Sequence, residues 1–497
     1  MNNIKVKDAL VPIGALIIIM IFGLAIFPSL QEGNSQISLE IIFLAAAVVG
    51  TLNLVRLGYS WASIQDAMVK KLHQALPAIM ILFSIGIVVG SWVLSGTIPF
   101  LIYHGINLIN PSYIYAVAFV VPSIFSLFTG TSWGSAGTIG VVIMAIAIAI
   151  GANPVMVAGA VVGGAYFGDK MSPLSDTTNI AALAAGVPLM EHIRSMMNTT
   201  VPSYLIAFCI YLSVGFYQPI ANTAVDLDAV QATQAAFSSL FAFDHPILII
   251  FICCPILIVL IGSIIKAPTV PTLIVSVIVA SLVGLFGQGF SLDIVASTLK
   301  NGFNAESFLN ISQKLSDQTV INNTIRILNR GGLYSMAEPV IITMSVFVFV
   351  GTLDKINALP IVVNHAFGWV KNRSLAIISA LFSTAATNAL TSNQFATSFV
   401  VAEAFKPKFD ELKIPRKVLS RTLEDAGTMI ENILPWTTTG VYMFSVLGVS
   451  AAEYWKYQYL TQINLVIAVI LAITGLGCFY NETRKNNTKI ADKASIN

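Results

Sequence analysis

The stretch 163–187 reads "GGAYFGDKMSPLSDTTNIAALAAGV" and lies between two apolar runs. It gathers Asp169, Lys170 and Asp176 with Ser172, Pro173, Ser175, Thr177, Thr178 and Asn179. Such a cluster fits either a loop at a membrane surface or a helix interrupted inside the membrane. Composition sets the frame for choosing. Of 497 residues, 56% are hydrophobic and 10% charged, with a mean hydropathy of +0.82. A soluble domain carries about 25% charged residues, so this chain could not solvate its own surface. It reads as an all-α, polytopic membrane protein, since helices satisfy their own backbone groups in lipid and an open sheet does not. At about 20 apolar residues per crossing, the length allows roughly ten to thirteen spans.

Uninterrupted apolar runs place spans near 9–29, 38–55, 75–96, 200–218, 246–264, 268–288, 333–353 and 461–480. The N-terminal run is longer than a signal-peptide core and lacks a small-x-small cleavage site, so it counts as the first span. Lysine and arginine then set orientation. Lys5 and Lys7, the group Arg56, Lys70 and Lys71, the five basic residues between Lys406 and Lys417, and the tail from Arg484 to Lys493 all point to the cytoplasm. Both termini are expected there. Between Arg194 and Lys266 there is no lysine or arginine, so 219–245 is expected outside, with 223–243 as an amphipathic helix.

Several functions fall away. A net charge of +2 without a basic patch gives no nucleic-acid footprint. Cys209, Cys253, Cys254 and Cys478 sit in apolar runs without ligand spacing, as small core residues do. The five histidines show no ligand spacing either. "FGD" at 167–169 resembles an intramembrane aspartyl protease motif, but Tyr166 stands where its first glycine belongs and no Pro-Ala-Leu triplet exists. HExxH and GxSG are absent too. No enzyme and no cofactor are expected.

Four longer apolar stretches are each interrupted by small and polar residues: "FTGTSWGSAGT" (128–138), the opening motif, "STAATNALTSNQ" (383–394) and "EDAGTMIENILPWTTTG" (424–440). "LFTGTS" from Leu127 and "LFSTAA" from Leu381 are offset by 254 residues, and Asp169 and Asp425 by 256. Two halves with the same order of broken helices suit an internally repeated transporter, and the placement of basic residues favours inversion. The division is 1–218, a connector 219–245, and 246–497.

Non-helical backbone at membrane depth persists only inside protein or along a polar cavity. Freed carbonyls, hydroxyls and carboxylates suit a small hard cation such as sodium, and a carboxylate can hold a proton instead. Competition for one acid would give antiport. In the first half, Asp169 precedes the break and Asp176 follows it, while Thr177, Thr178 and Asn179 open a second half-helix whose N–H groups could also greet an anion. Asp176 would equally serve as an ordinary N-cap. In the second half Glu424, Asp425 and Glu431 lie within about two turns, ahead of Asn432, Thr437 and Thr438. An ion pair with Arg421, four residues earlier, is the alternative role for Asp425. Glu338, immediately before Pro339 in an apolar run, is either an intramembrane acid or a residue near the surface beside Arg330.

The run 130–140, the motif 163–182 and the segment 424–440 together resemble the NhaC family of bacterial sodium/proton antiporters over most of the chain. That resemblance implies two inverted repeats, frequent dimerisation, an elevator-like or rocking movement, and a multi-pass protein of the bacterial cell membrane. It implies an ion site from Asp169, Ser172, Asp176, Thr177 and Asn179 in the first half and Asp425, Asn432, Thr437 and Thr438 in the second. Polar residues at the other two interruptions, Thr131, Ser132, Asn388, Ser392 and Asn393, are the matching substrate-side candidates. The expected activity is Na+/H+ exchange. The alternative is Na+- or H+-coupled exchange of small organic acids, malate and lactate among them, or of amino acids. That reading needs a cationic anchor, and Lys170, Arg330 and Arg421 are the candidates.

Overall fold

The computed structural model describes residues 4–30, 36–108, 110–217, 235–243, 246–265, 267–309, 318–367 and 370–480. These form helices and no strand. Among the described residues nine helices are long and apolar enough to cross a membrane, or ten if Ala451–Tyr457 and Tyr459–Thr474, bent by 62°, form one span. The helices that matter below are α1 (Val6–Leu30), α2 (Leu39–Arg56), α3 (Trp61–Leu94), α4 (Ile114–Thr129), α5 (Ser132–Ala149), α6 (Pro154–Met171), α7 (Asp176–Ala185) and α8 (Leu189–Tyr217). In the second half come α9 (Pro246–Ile264), α10 (Thr269–Leu282), α11 (Ala337–Asp354), α12 (Arg373–Thr391), α13 (Gln394–Glu411), α14, α15 (Thr438–Leu447) and α16 (Tyr459–Thr474). Helix α14 runs from Arg416 to Leu423, passes through a π-helical turn at Glu424–Thr428, and finishes at Met429–Glu431.

Most of the uninterrupted apolar runs became spans where hydropathy places them, but the helix from Pro246 is not among the nine, 461–480 falls in the bent pair ending at Thr474, and α3 starts at Trp61 rather than near 75. Helix α8 begins at Leu189 rather than near residue 200. Its first turns expose Glu191 and Arg194 and bury His192, Ser195 and Thr199, so the helix continues past the point where apolar content ends. Of the expected connector helix 223–243, residues 223–234 lie outside the described residues, as does the basic tail from Arg484; residues 235–240 are helical.

The four interruptions are of two kinds. At 130–131 and 392–393 the chain reverses and makes helical hairpins. Gly130 (φ 70°) ends α4 in the left-handed conformation and Thr131 caps α5. Ser392 (φ 51°) ends α12 likewise and Asn393 caps α13. Arg373 Nε, at the start of α12, donates to the Leu412 carbonyl beyond the end of α13 at 2.8 Å, which closes the base of the second hairpin. The other two interruptions are true helix breaks, with α6 leading into α7 through 172–175 and α14 into α15 through 432–437.

A single offset relates these features. Adding 262 carries Gly130 to Ser392, Thr131 to Asn393, Pro173 to Pro435 and the N-cap Ser175 to the N-cap Thr437. It also carries Asp169 to Glu431, not to Asp425. The two hairpins enter from opposite ends of α8. Ser112, just before α4, packs against Gly215 near its end, while Ser420 of α14, which packs against the second hairpin, meets His192 near its start.

Helices α4 and α6 run parallel and in close contact because α6 carries glycines where α4 approaches. A Cβ at Gly164 would strike the Phe119 carbonyl, and one at Gly168 would strike the Ser123 carbonyl and the Leu127 amide. Small residues allow this approach where lipid supplies no hydrophobic drive between helices. Backbone cannot step aside, so Gly168→Ala is expected to destabilise the protein by about 1–3 kcal/mol, as overpacking does. Gly14→Ala in α1, where a Cβ would meet nothing within 4 Å, is expected to raise the thermal midpoint slightly. Melting of the two variants in detergent checks the pair.

Candidate ion-binding site

Each break faces the tip of its own hairpin. In the first half Ser132 Oγ, in the first turn of α5, donates to Asp169 Oδ2 at 2.7 Å, and Gly130 packs against Leu174 inside the break. In the second half the Thr438 amide and Ser392 Oγ are joined, Thr438 Oγ1 donates to the Ser392 carbonyl at 3.0 Å, and Trp436 Nε1 donates to the Ala389 carbonyl at 2.8 Å. In the second half the tip's Ser392 thus partners the Thr438 amide of the break, whereas the first break's backbone is met within its own turn by Ser172, Thr178 and Asn179. Asp169 and Glu431 each lie against the N-terminal turn of a helix, where the backbone dipole favours negative charge.

A cavity of about 960 Å³ brings the halves together. Asp169 and Glu431 both line it, with Thr131, Ser132, Thr177, Ser392, Asn393 and Thr438 around them and Asp176 exposed at its edge. Glu431 Oε1 accepts from Thr439 Oγ1 at 2.8 Å and from Thr438 Oγ1 at 3.4 Å, while Asn388 Nδ2 lies 3.4 Å from Oε2. The Tyr166 hydroxyl, three residues before Asp169 on α6, donates to Thr439 Oγ1 at 3.0 Å, and Trp133 Nε1 does so at 3.3 Å. Trp133 stacks on Tyr442 with ring centroids 4.3 Å apart, and the Tyr442 hydroxyl donates back to the Trp133 carbonyl. First-half aromatics therefore hold the second-half acid in place. The one lysine or arginine lining the cavity among the described residues is Lys71, which pairs with Asp354 at 3.2 Å.

Lys170 points the other way. It is fully buried, with Nζ on Asp425 Oδ1, and the same oxygen accepts from Thr199 Oγ1 at 2.9 Å and Asn464 Nδ2 at 3.0 Å. Arg421 Nε is 3.9 Å from Asp425 Oδ2, and Arg421 also donates to the Gly477 carbonyl. Asp425 is thus an ion-pair partner behind the cavity wall, and neither Lys170 nor Arg421 offers an anchor inside the cavity.

The remaining residues singled out in the sequence serve elsewhere. Ser172 is buried and its Oγ accepts from the Leu174 amide; Asn179 is exposed and donates to the Pro173 and Ser175 carbonyls, which braces the break. Thr437 caps α15. Asn432 Oδ1 accepts from Gln458 and Thr461 on the far side of α14. Glu338 is exposed in the first turn of α11, away from the cavity. Glu431 was one of three acids in its segment, and Tyr166, Trp133 and Thr439 carried no sequence signal beyond their neighbourhood. The spacing could have picked out Glu431, because Asp169 and Glu431 both stand four residues before a proline and six before an N-cap.

Breaking a buried ion pair from one side leaves a charge uncompensated and costs about 3–5 kcal/mol, whereas replacing both partners by apolar groups is often neutral. Asp425→Leu, which strands both Lys170 and Arg421, should therefore lower the thermal midpoint sharply, whereas Lys170→Met, which leaves Asp425 paired with Arg421, should cost less. Melting curves in detergent decide it.

Comparison with known proteins agrees with this architecture. Residues 164–476 match the model of the Na+/H+ antiporter family. The chain is 35% identical to an uncharacterized Na+/H+ antiporter of Haemophilus influenzae, across 95% of this chain and 96% of that one. It is 32% identical to the Na+/H+ antiporter NhaC of Alkalihalophilus pseudofirmus (93% and 94%), and 30% identical to the malate-2H+/Na+-lactate antiporter of Bacillus subtilis (92% of each). The resemblance carried by the glycine- and serine-rich motifs holds over nearly the whole length: the chain belongs to the Na+/H+ antiporter family and is a multi-span secondary transporter, not an enzyme.

Proposed function

We propose that this protein exchanges Na+ for H+ across the membrane, with Asp169 and Glu431 as the carboxylates that receive the ion. The observation that carries the reading is the single cavity onto which these two acids converge from the two halves. Sodium is a hard cation and prefers oxygen ligands. Besides the carboxylates, the hydroxyls of Ser132, Thr438 and Thr439 already touch them and can turn a lone pair toward a cation. Asn388 Oδ1, beside Glu431, has no partner among the described residues and is a further oxygen of the right kind. Two carboxylates facing one cavity repel each other when both are ionised, so the site holds a cation firmly and its release is favoured when a proton is taken up nearby. Exchange follows if the loaded site is exposed alternately to the two faces.

The runner-up is an organic-acid exchanger. The cavity volume, far above that of one sodium ion, and the name of the Bacillus subtilis malate/lactate relative favour it. Against it stands the lining, in which Asp169, Asp176 and Glu431 meet, among the described residues, no lysine or arginine but the already paired Lys71. Family likeness also supports a homodimer, and the basic residues support cytoplasmic termini.

The test uses purified protein in liposomes loaded at acid pH with a trapped pH dye. External sodium, with no organic solute present, should alkalinise the lumen as Na+ enters and H+ leaves. Asp169→Asn and Glu431→Gln should each reduce this flux at least about 100-fold, the scale of losing a charged ligand worth ~3 kcal/mol. Asp176→Asn, at the exposed edge, should retain most of it. Silence of the wild type until malate or an amino acid is supplied would transfer the assignment to the runner-up.

A further inference from the structure

A second buried carboxyl stands one turn behind the cavity wall. Glu424 opens the π-helical turn of α14, is wholly inaccessible to solvent, and neither of its oxygens has a hydrogen-bond partner among the described residues. Thr428, four residues on in the same turn, lines the cavity, and its buried hydroxyl also lacks a partner. A side-chain rotation would join the two and connect Glu424 to the cavity through one hydroxyl.

The charges around Glu424 leave it a defined role. Asp169 and Lys170 from α6 and Asp425 from its own helix act on it electrostatically, while His192 from α8 and Arg421 act on its neighbour Asp425. His192 Nδ1 is engaged with Ser420 Oγ, while Nε2 is unpartnered. Lys170 and Arg421 together bring two positive charges against the single negative charge of Asp425. An ionised Glu424 balances this cluster, and a protonated one leaves it with one positive charge. Cation in the cavity favours the ionised form. Once the cation has left, the carboxylate of Asp169 stands uncompensated nearby and favours the protonated form. The coupling needs no shared ligand.

Building on the Na+/H+ reading above, we propose that Glu424 is the proton-carrying carboxyl of the exchange, reached from the cavity through Thr428 and distinct from the acids that hold the cation. Sodium binding expels its proton by charge, and sodium release restores it.

Two assays in proteoliposomes separate the roles, namely sodium-driven lumenal alkalinisation and exchange of radioactive sodium against unlabelled sodium at equal pH. Glu424→Gln, monodisperse in detergent, should lose proton flux at least about ten-fold while sodium/sodium exchange at saturating sodium stays within about two-fold of wild type, with the half-saturating sodium concentration raised because the coupling is reciprocal. Retained proton flux, or loss of both activities, would overturn the proposal. Should Glu424→Gln fail to fold, Glu424→Asp keeps an ionisable group. Its proton-flux pH profile should then be displaced relative to wild type with the pH profile of sodium/sodium exchange unmoved; displacement of both or of neither would overturn it. If wild-type protein that exchanges sodium moves no protons, the antiport reading itself fails, which is a different outcome.

Discussion

Backbone that stops being helical inside a membrane must find its hydrogen bonds within the protein, and this constraint organises the whole centre of the molecule. Each half brings a hairpin tip against a helix break; the second tip partners the break's backbone directly through Ser392, and the first break meets its own needs through Ser172, Thr178 and Asn179. What lipid forbids on the outside becomes, inside, a concentration of oxygens around two acids.

Helix α6 then sorts charge by face. Asp169 looks into the cavity, and the next residue, Lys170, looks away into a pair with Asp425 across the interface between halves. Adjacent positions on a helix point about 100° apart, so one residue step is enough to keep the ammonium out of the cavity. The cavity keeps its negative character because its potential counter-ions are held behind the wall. Rotation of α6 would disturb the cavity and the ion pair together, and the glycine contacts with α4 hold it in register.

Much of this was legible beforehand. Apolar runs located the spans, since mean hydropathy at this level leaves few other folds, and Gly, Ser and Thr clusters located all four interruptions. Their kind was not legible: Gly130 and Ser392 reverse the chain by adopting positive φ, and a polar cluster in a sequence looks alike at a hairpin tip and at a break. Pairing by letters matched Asp169 to Asp425, two acids that follow a glycine or glutamate by chance. Pairing by proline and N-cap matches it to Glu431, because those residues fix backbone geometry. Asp176 and Asn179 illustrate the opposite limit. Their residue types suit an ion site, yet both are exposed, one at the cavity edge and one bracing the break. The aromatic support from Tyr166 and Trp133 joins positions some 300 residues apart in the chain, and no local pattern encodes such a contact.

The central claim is that one carboxylate from each half serves the same ion. A double-mutant cycle on sodium affinity tests it most directly, with equilibrium binding of radioactive sodium to detergent-purified wild type, Asp169→Asn, Glu431→Gln and the double variant. If both acids hold one ion, each single change should weaken binding severely and the double variant should bind little worse than the weaker single, a strongly non-additive result. Losses that simply add, or a single variant with unaltered affinity, would mean that the two acids do not share an ion.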